Sequence, residues 1–383
     1  MKNRLSLLLA IWLLAMVSVI GCSNQSEQND GNDGKHQNDQ LVIYTTIFPL
    51  QDFTKKIGGK HVVVESVFPP SVDAHTYEPT TKQMVEMAES DLFIYSGIGL
   101  EGFAEKAHKT LESENVKVLK AGEGIELIES KDEHADEHAE EHADEHADEH
   151  AEEHADEHSA EHADEHADEH ADEHADEHAD EHADEHADEH ADEHADEHAD
   201  EHAEHGHSHD VDPHVWLDPT LAIKLAENIK NVLVDLKPEA KADFEQNFEQ
   251  LKEKFMDLDK QFQHVVQNAE RKEIVVSHAA YGYWEHRYGI EQISISGLSP
   301  TIEPSQKELT EIIEMAQKHD IKYVIFEQNV SNKIANIVQT EIGAESLTLH
   351  NLESITEEQI KNGEDYFSLM QQNLETLKKA LGN

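Results

Sequence analysis

Thirty-one histidines stand in these 383 residues, and their spacing sorts them into two kinds. Eighteen recur at every fourth position from His134 to His202, in a run of Ala-Asp-Glu-His units that includes His138 and His142. A non-repetitive tail adds His205, His207 and His209. Imidazole and carboxylate side chains together suit Zn²⁺, with Cu²⁺ and Ni²⁺ also able to bind. On a helix, residues i and i+4 share a face, so neighbouring imidazoles could chelate one ion. Four residues advance about 400°, however, so the stripe drifts about 40° per repeat and no face stays aligned. The tract has no large apolar side chain to bury and its carboxylates repel one another, which predicts disorder without metal. Many equivalent flexible sites make a collector of modest affinity, not a selective pocket. Acid would weaken it by protonating the imidazoles.

The other ten histidines are scattered, and three of them stand out by position. His75 lies in VDAHTYEPT, His214 in DVDPHVWLDP and His278 in VVSHAAYGY. His75 reads as a loop after a strand, His214 as a turn before a helix and His278 as the carboxyl end of a strand, all where loops leave an α/β sheet, which is where such folds bind ligands. A single histidine of this kind is more often a surface or capping residue. Three at equivalent sheet edges, beside a histidine-rich tract, point to a metal held between two halves of the molecule.

The elements that would position them alternate. Before the repeat, LVIYTTIFP, HVVVESVFPP, DLFIYSG and VKVLKA read as strands, separated by helices over LQDFTKKIGG, TKQMVEMAES and about residues 101–113. After it, DPTLAIKLAENIKNVLVDLK is helical, and Pro238 opens a longer helix. That helix carries Phe244, Phe248, Leu251, Phe255, Leu258, Phe262 and Val265 at steps of four and three, one narrow apolar stripe. Roughly thirty residues at ~1.5 Å rise would give about 45 Å, long enough to connect two domains. Alternation resumes with EIVVSHAAYGYWEHRYG, IEQISISGLSP, SQKELTEIIEMAQKHD, IKYVIFEQNV, NKIANIVQTEIG and AESLTLHNLES, and YFSLMQQNLETLKKAL closes the chain as a helix. The fold class expected is α/β, two lobes each with a parallel sheet flanked by helices, joined by one long rigid helix with the metal in the cleft between them.

The start reads as a targeting segment. Lys2 and Arg4 precede a mostly apolar run from Leu5 to Ile20, broken only by Ser6 and Ser18, then Gly21 and Cys22. Basic residues, a short apolar stretch and small residues before a cleavage point describe a secretory signal, and the run is short for a membrane span. SVIGC resembles a bacterial lipobox, in which Cys22 carries the lipid anchor. Cys22 is also the one cysteine, so an intrachain disulfide and a multi-thiolate metal site are both excluded. Residues 23–40 have no sizeable apolar side chain and read as a flexible tether. The divisions expected are a signal peptide at 1–21, a tether at 22–40, a first lobe at 41–237 with a disordered insert at 132–210, a linker helix at 238–270 and a second lobe at 271–383. The formal net charge is -55, and Asp132–His209 supplies 36 of the 84 acids and no base. So acidic a surface repels a phosphate backbone, which excludes nucleic acid, and attracts cations.

Several separated stretches together resemble the zinc/manganese solute-binding lipoproteins of bacterial ABC importers, and the zinc branch most of all. They are HTYEPTTKQMVEMAESDLFIYSGIGLEGF, DPHVWLDP, SHAAYGYWEHRYGI, ISGLSPTIEPS and LESITEEQIKNGEDYFSLMQQNLETL, in the family's order. The resemblance covers nearly all of Leu41–Asn383 outside the repeat. It implies ligands at His75, His214, His278 and a second-lobe carboxylate at Glu353, with Glu327, His350 or a water as neighbours that could take the last place. Related manganese binders have a carboxylate where this chain has His278. Three neutral imidazoles and one carboxylate are a four-coordinate set suited to zinc, whereas manganese takes more oxygen. Asp212, Tyr77 and Glu303 are candidates for orienting the imidazoles, and Trp216 for packing. The function implied is extracytoplasmic zinc capture by a lipid-anchored monomer that hands Zn²⁺ to an ABC permease and its ATPase, with the repeat as accessory collector. Rival readings are a zinc-dependent hydrolase with Glu327 or Glu353 as base, against which no HExxH occurs, and a metal-storage or adhesin lipoprotein working through the repeat.

Overall fold

The computed structural model describes residues 40–129, 211–328 and 333–382. The signal segment, Cys22, the tether and the repeat with His134, His138, His142, His202, His205, His207 and His209 lie outside the described residues. The first sheet is built from β1 (Leu41–Thr45), β2 (Val62–Ser66), β3 (Leu92–Tyr95) and β4 (Lys117–Lys120), in the order β2-β1-β3-β4, every neighbour parallel. Between the strands run α1 (Phe48–Gly58), α2 (Thr81–Ala88) and α3 (Ala104–Ser113). β3 is buried at all four positions, the continuous apolar run expected of a strand covered on both faces. Val42 lies opposite Val63 and Ile43 opposite both Val64 and Leu92.

The second sheet repeats the plan. It is formed by β5 (Glu273–His278), β6 (Glu291–Ser296), β7 (Tyr323–Glu327) and β8 (Glu345–Leu349) in the order β6-β5-β7-β8, again all parallel. Both sheets therefore reverse direction of winding beside their first strand, and ligands in open parallel sheets gather at the carboxyl ends next to such a reversal. α6 (Gly282–Tyr288), α7 (Gln306–Lys318) and α8 (Lys333–Ile342) connect these strands. α7 and α8 cover one face of the sheet over a small core of Val275, Ile293, Ile295, Ala316, Val324, Ala335 and Val338.

The expected long helix begins with a 3₁₀ turn at Pro238–Ala240 and continues as α5 (Lys241–Gln267). At 27 residues it is about 40 Å long, a little shorter than expected because proline opens the 3₁₀ turn and not the α-helix. Its buried face holds the stripe read in the sequence, Phe244, Phe248, Leu251, Phe255, Leu258, Phe262 and Val265. That face packs against α1 and α4 (Pro219–Leu236) of the first lobe and against α6 and α10 (Tyr366–Ala380) of the second. Phe255 meets Phe53 edge-on at 5.1 Å and Tyr366 at 5.5 Å, so one ring joins the two lobes. The main core is accordingly continuous from Ile43 to Leu381. A short helix absent from the sequence reading, α9 (Glu357–Asn362), lies before α10; Thr356 and Gln359 form its capping box and Gly363 ends it at φ 73°. Among the described residues no helix is long and apolar enough to cross a membrane.

Candidate metal centre

The four residues of the implied ligand set come from three loops and the end of one strand. His75 follows β2, in a loop held by its neighbours. Asp73 accepts the His75 N–H at 2.9 Å and the Thr76 hydroxyl at 3.1 Å. Gln83, in the reciprocal cap of α2, accepts the Tyr77 hydroxyl at 2.9 Å and donates to the Val67 carbonyl at 2.8 Å. His214 precedes a 3₁₀ turn at Val215–Leu217, after which Asp218 caps α4 by accepting the Thr220 N–H at 2.7 Å. His278 is the last residue of β5. Glu353 follows β8 and adjoins Leu352, whose φ of 62° puts a buried leucine in the left-handed region. The Glu353 carbonyl accepts the Phe48 N–H at 3.0 Å, so this loop is tied to the first lobe.

The side chains converge. Glu353 Oε1 lies 3.4 Å from His75 Nε2, 3.4 Å from His214 Nε2 and 3.9 Å from His278 Nε2. One ligand atom from each of the four residues falls within 4.8 Å of the others. Among the described residues those same four atoms are buried without a hydrogen-bond partner, and buried polar atoms left unpaired are costly. Four donors placed ~2.0–2.1 Å from a tetrahedral zinc would stand about 3.3 Å apart, so the cluster needs little contraction to close on one ion. His214 and His278 are fully buried, and the His75 side chain is 11% exposed. His75 also lines a cavity of roughly 260 Å³ with Leu100 and Pro213 of the first lobe and Leu298 and Ile302 of the second.

The far nitrogen of two rings is fixed. Asp212 Oδ1 pairs with His214 Nδ1 at 2.8 Å and accepts the His214 N–H at 2.9 Å. Glu327 Oε1 pairs with His278 Nδ1 and accepts the Ser277 hydroxyl at 3.2 Å. Both imidazoles donate through Nδ1 to a carboxylate, which turns Nε2 toward the centre. Burial alone would lower the His214 pKa, but Asp212 and Glu353 outweigh it and push it up to about 10. Burial would likewise raise Glu353, and His75 and His214 hold it well below the usual carboxylate range. A buried carboxylate ringed by imidazoles is an arrangement in which a divalent cation can take the place of the imidazole protons.

The remaining candidates separate. Glu327 supports His278 and does not join the cluster. His350 pairs with Gln359 through Nε2 and takes the Asn373 carboxamide at its N–H, and burial pushes it down to about 4. Tyr77 bonds to Gln83 and Glu303 is exposed, so neither orients an imidazole as expected; both belong to loop and cap structure. Trp216 is fully buried and donates to the Asn351 carbonyl at 2.7 Å, a packing residue with one polar tie. The sequence reading missed Asn351 and Tyr283. The Tyr283 hydroxyl donates to the Asp212 carbonyl at 2.9 Å, beside the antiparallel bridge between Glu129 and Val211 where the insert leaves the body.

Known proteins resemble the chain over nearly its whole described length. The sequence model of a family described as "ZnuA: Zinc-uptake complex component A periplasmic" matches residues 43–380. The zinc-binding lipoprotein AdcA of Streptococcus pneumoniae is 32% identical over 378 residues, 99% of this chain and 61% of that protein. The high-affinity zinc uptake system protein ZnuA of Bacillus subtilis is 32% identical over 364 residues, 95% of this chain and 93% of that protein. The crystal structure of the Zn(II)-bound ZnuA-like domain of Streptococcus pneumoniae AdcA superposes with a TM-score of 0.62 at 30% identity, covering 90% of this chain and 100% of that domain. The chain thus spans about three-fifths of the length of the pneumococcal relative.

Proposed function

The chain belongs to the zinc-uptake complex component A family, and from that premise we propose that it captures Zn²⁺ outside the cytoplasm and delivers it to an ABC-type permease and its ATPase. His75, His214, His278 and Glu353 are the ligands. The observation that carries this reading is the convergence of their four unpaired, buried ligand atoms. Three imidazole nitrogens and one carboxylate oxygen favour zinc over manganese, and the names of the relatives agree. The ion enters from the cavity at His75, the least buried donor. The protein is not an enzyme, because four protein donors leave no open position for a reacting water.

Cys22 anchors the chain to the membrane through lipid, residues 22–40 act as the tether, and 41–237 and 271–383 are the two lobes on either side of the linker. The protein works as a monomer. The repeat, from His134 to His209, is an accessory collector that raises the local zinc concentration beside the cleft; its stem at Glu129 and Val211 adjoins Asp212, which holds His214.

Zinc titration against a competing chelator, with manganese present, tests the assignment on the full chain and on a variant lacking residues 132–209. One tight, zinc-selective site is expected in both, with only weaker sites removed by the deletion. His278→Ala should abolish the tight site and leave the weak ones. Loss of tight binding on deletion of the repeat would transfer the function to storage by the repeat and end the cleft reading.

A further inference from the structure

Asn351 offers no atom to the ligand cluster, yet it bonds to the supports of three of its four members. Its Nδ2 donates to Glu327 Oε2 at 3.1 Å, and the other oxygen of Glu327 is the partner of His278 Nδ1. Its Oδ1 accepts the Glu353 N–H at 3.2 Å. Its carbonyl accepts Trp216 Nε1 at 2.7 Å, and the Trp216 ring packs edge-on against His214 with centroids 5.3 Å apart. The orientation of the carboxamide follows from these neighbours. Turned over, its oxygen would face the Glu327 carboxylate and its NH₂ would face the Glu353 N–H, losing both bonds.

We infer that Asn351 is a positioning residue for the metal centre, holding His278 and Glu353 in register with each other. Its donor side turns Glu327 so that His278 presents Nε2. Its acceptor side pins the peptide that aims Glu353. Between them Leu352 keeps a left-handed φ of 62°, a conformation a branched residue holds only when its surroundings impose it. His278 and Glu353 both come from the second lobe but from strands two places apart in its sheet, so their separation is set by side-chain bonds and not by a common strand. The inference rests on the ligand assignment made above.

Two substitutions separate this role from simple support of the turn. Asn351→Asp keeps an oxygen for the Glu353 N–H but removes the donor to Glu327 and sets two carboxylates face to face; Asn351→Ala removes both bonds. On the full chain, zinc affinity is measured by chelator competition, the visible spectrum is recorded with one equivalent of Co²⁺, and the melting temperature is taken without metal. Both variants should bind zinc 10- to 100-fold more weakly, the usual cost of losing such a support, and Asn351→Asp should shift the Co²⁺ spectrum. Zinc affinity within about twofold of the parent in both variants overturns the inference. So does a lowered melting temperature with an unchanged Co²⁺ spectrum. His278→Ala is run alongside: if it too binds like the parent, the ligand assignment itself fails, whereas its loss with intact Asn351 variants overturns only the role of Asn351.

Discussion

Asp212 takes two bonds from His214 through one oxygen, and its charge has a consequence for zinc uptake. With its pKa pushed up to about 10, the His214 imidazole holds a proton at neutral pH, which zinc bound at the proposed site would displace. Adding zinc to weakly buffered protein at pH 7 should release protons, and affinity should rise with pH. Asp212→Asn removes the charge while keeping an acceptor, so it should release fewer protons and bind zinc about 10- to 100-fold more weakly. Equal proton release by both proteins would contradict the coupling. His350 titrates in the opposite sense. Burial holds it down to about 4, so between pH 6.5 and pH 4 the unfolded chain binds a proton that the folded one refuses. Its neutral form therefore costs nothing above pH 6.5, and stability falls as pH drops toward 4, by about 3 kcal/mol in all. His214 contributes nothing in that window, because a raised pKa changes stability only above 6.5. Urea midpoints of the metal-free protein should thus slope downward from pH 6.5 to pH 4, and His350→Gln should flatten the slope whatever it does to the midpoint at neutral pH.

Among the elements, α5 packs against helices of both lobes, and Phe255 meets a ring from each. It is fully buried between Phe53 and Tyr366. Phe255→Ala should cost about 3–5 kcal/mol, measured by urea or thermal unfolding, while Met256→Ala, one position round the helix and 46% exposed, should stay within about 0.5 kcal/mol. A similar loss from both would mean the stripe is not the buried face. This stripe was legible in the sequence because steps of four and three leave a helix no other face to bury. The strands were legible for a related reason: LFIY is apolar at every position, as a strand covered on both faces must be. α9 was not legible, since six residues lie below the length at which a helical period can be seen and only its cap and glycine mark it. At the site, His75 could be picked out in a loop after a strand, His214 in a turn before a helix and His278 at the end of a strand. Glu353 came only through the family resemblance, and Asn351 not at all, because its work depends on Glu327 and Trp216, residues brought beside it by the fold.

For the molecule as a whole the question is how a two-lobed α/β body tolerates so long and acidic an insertion. The stem gives a physical answer. Glu129 pairs with Val211 across an antiparallel bridge, the Asp212 N–H donates to the Ile128 carbonyl at 3.0 Å, and Tyr283 of the second lobe holds the same stem. Removing residues 132–209 leaves Ser130, Lys131 and Asp210 between the paired residues, a length that closes a hairpin without strain. The metal-free variant should therefore fold with the melting temperature of the full chain or above it, since 36 acids leave with the insert and mutual repulsion falls. Binding to the folded state alone stabilises by about 2.7 kcal/mol at 100 times the dissociation constant and about 4.1 kcal/mol at 1,000 times. At equal free zinc, set with a metal buffer, the melting temperatures of variant and full chain should climb in parallel, because only the cleft distinguishes folded from unfolded protein. A full chain that gains stability while the variant gains none would place the folding-coupled zinc in the repeat, and no arrangement of His75, His214, His278 and Glu353 could then account for it.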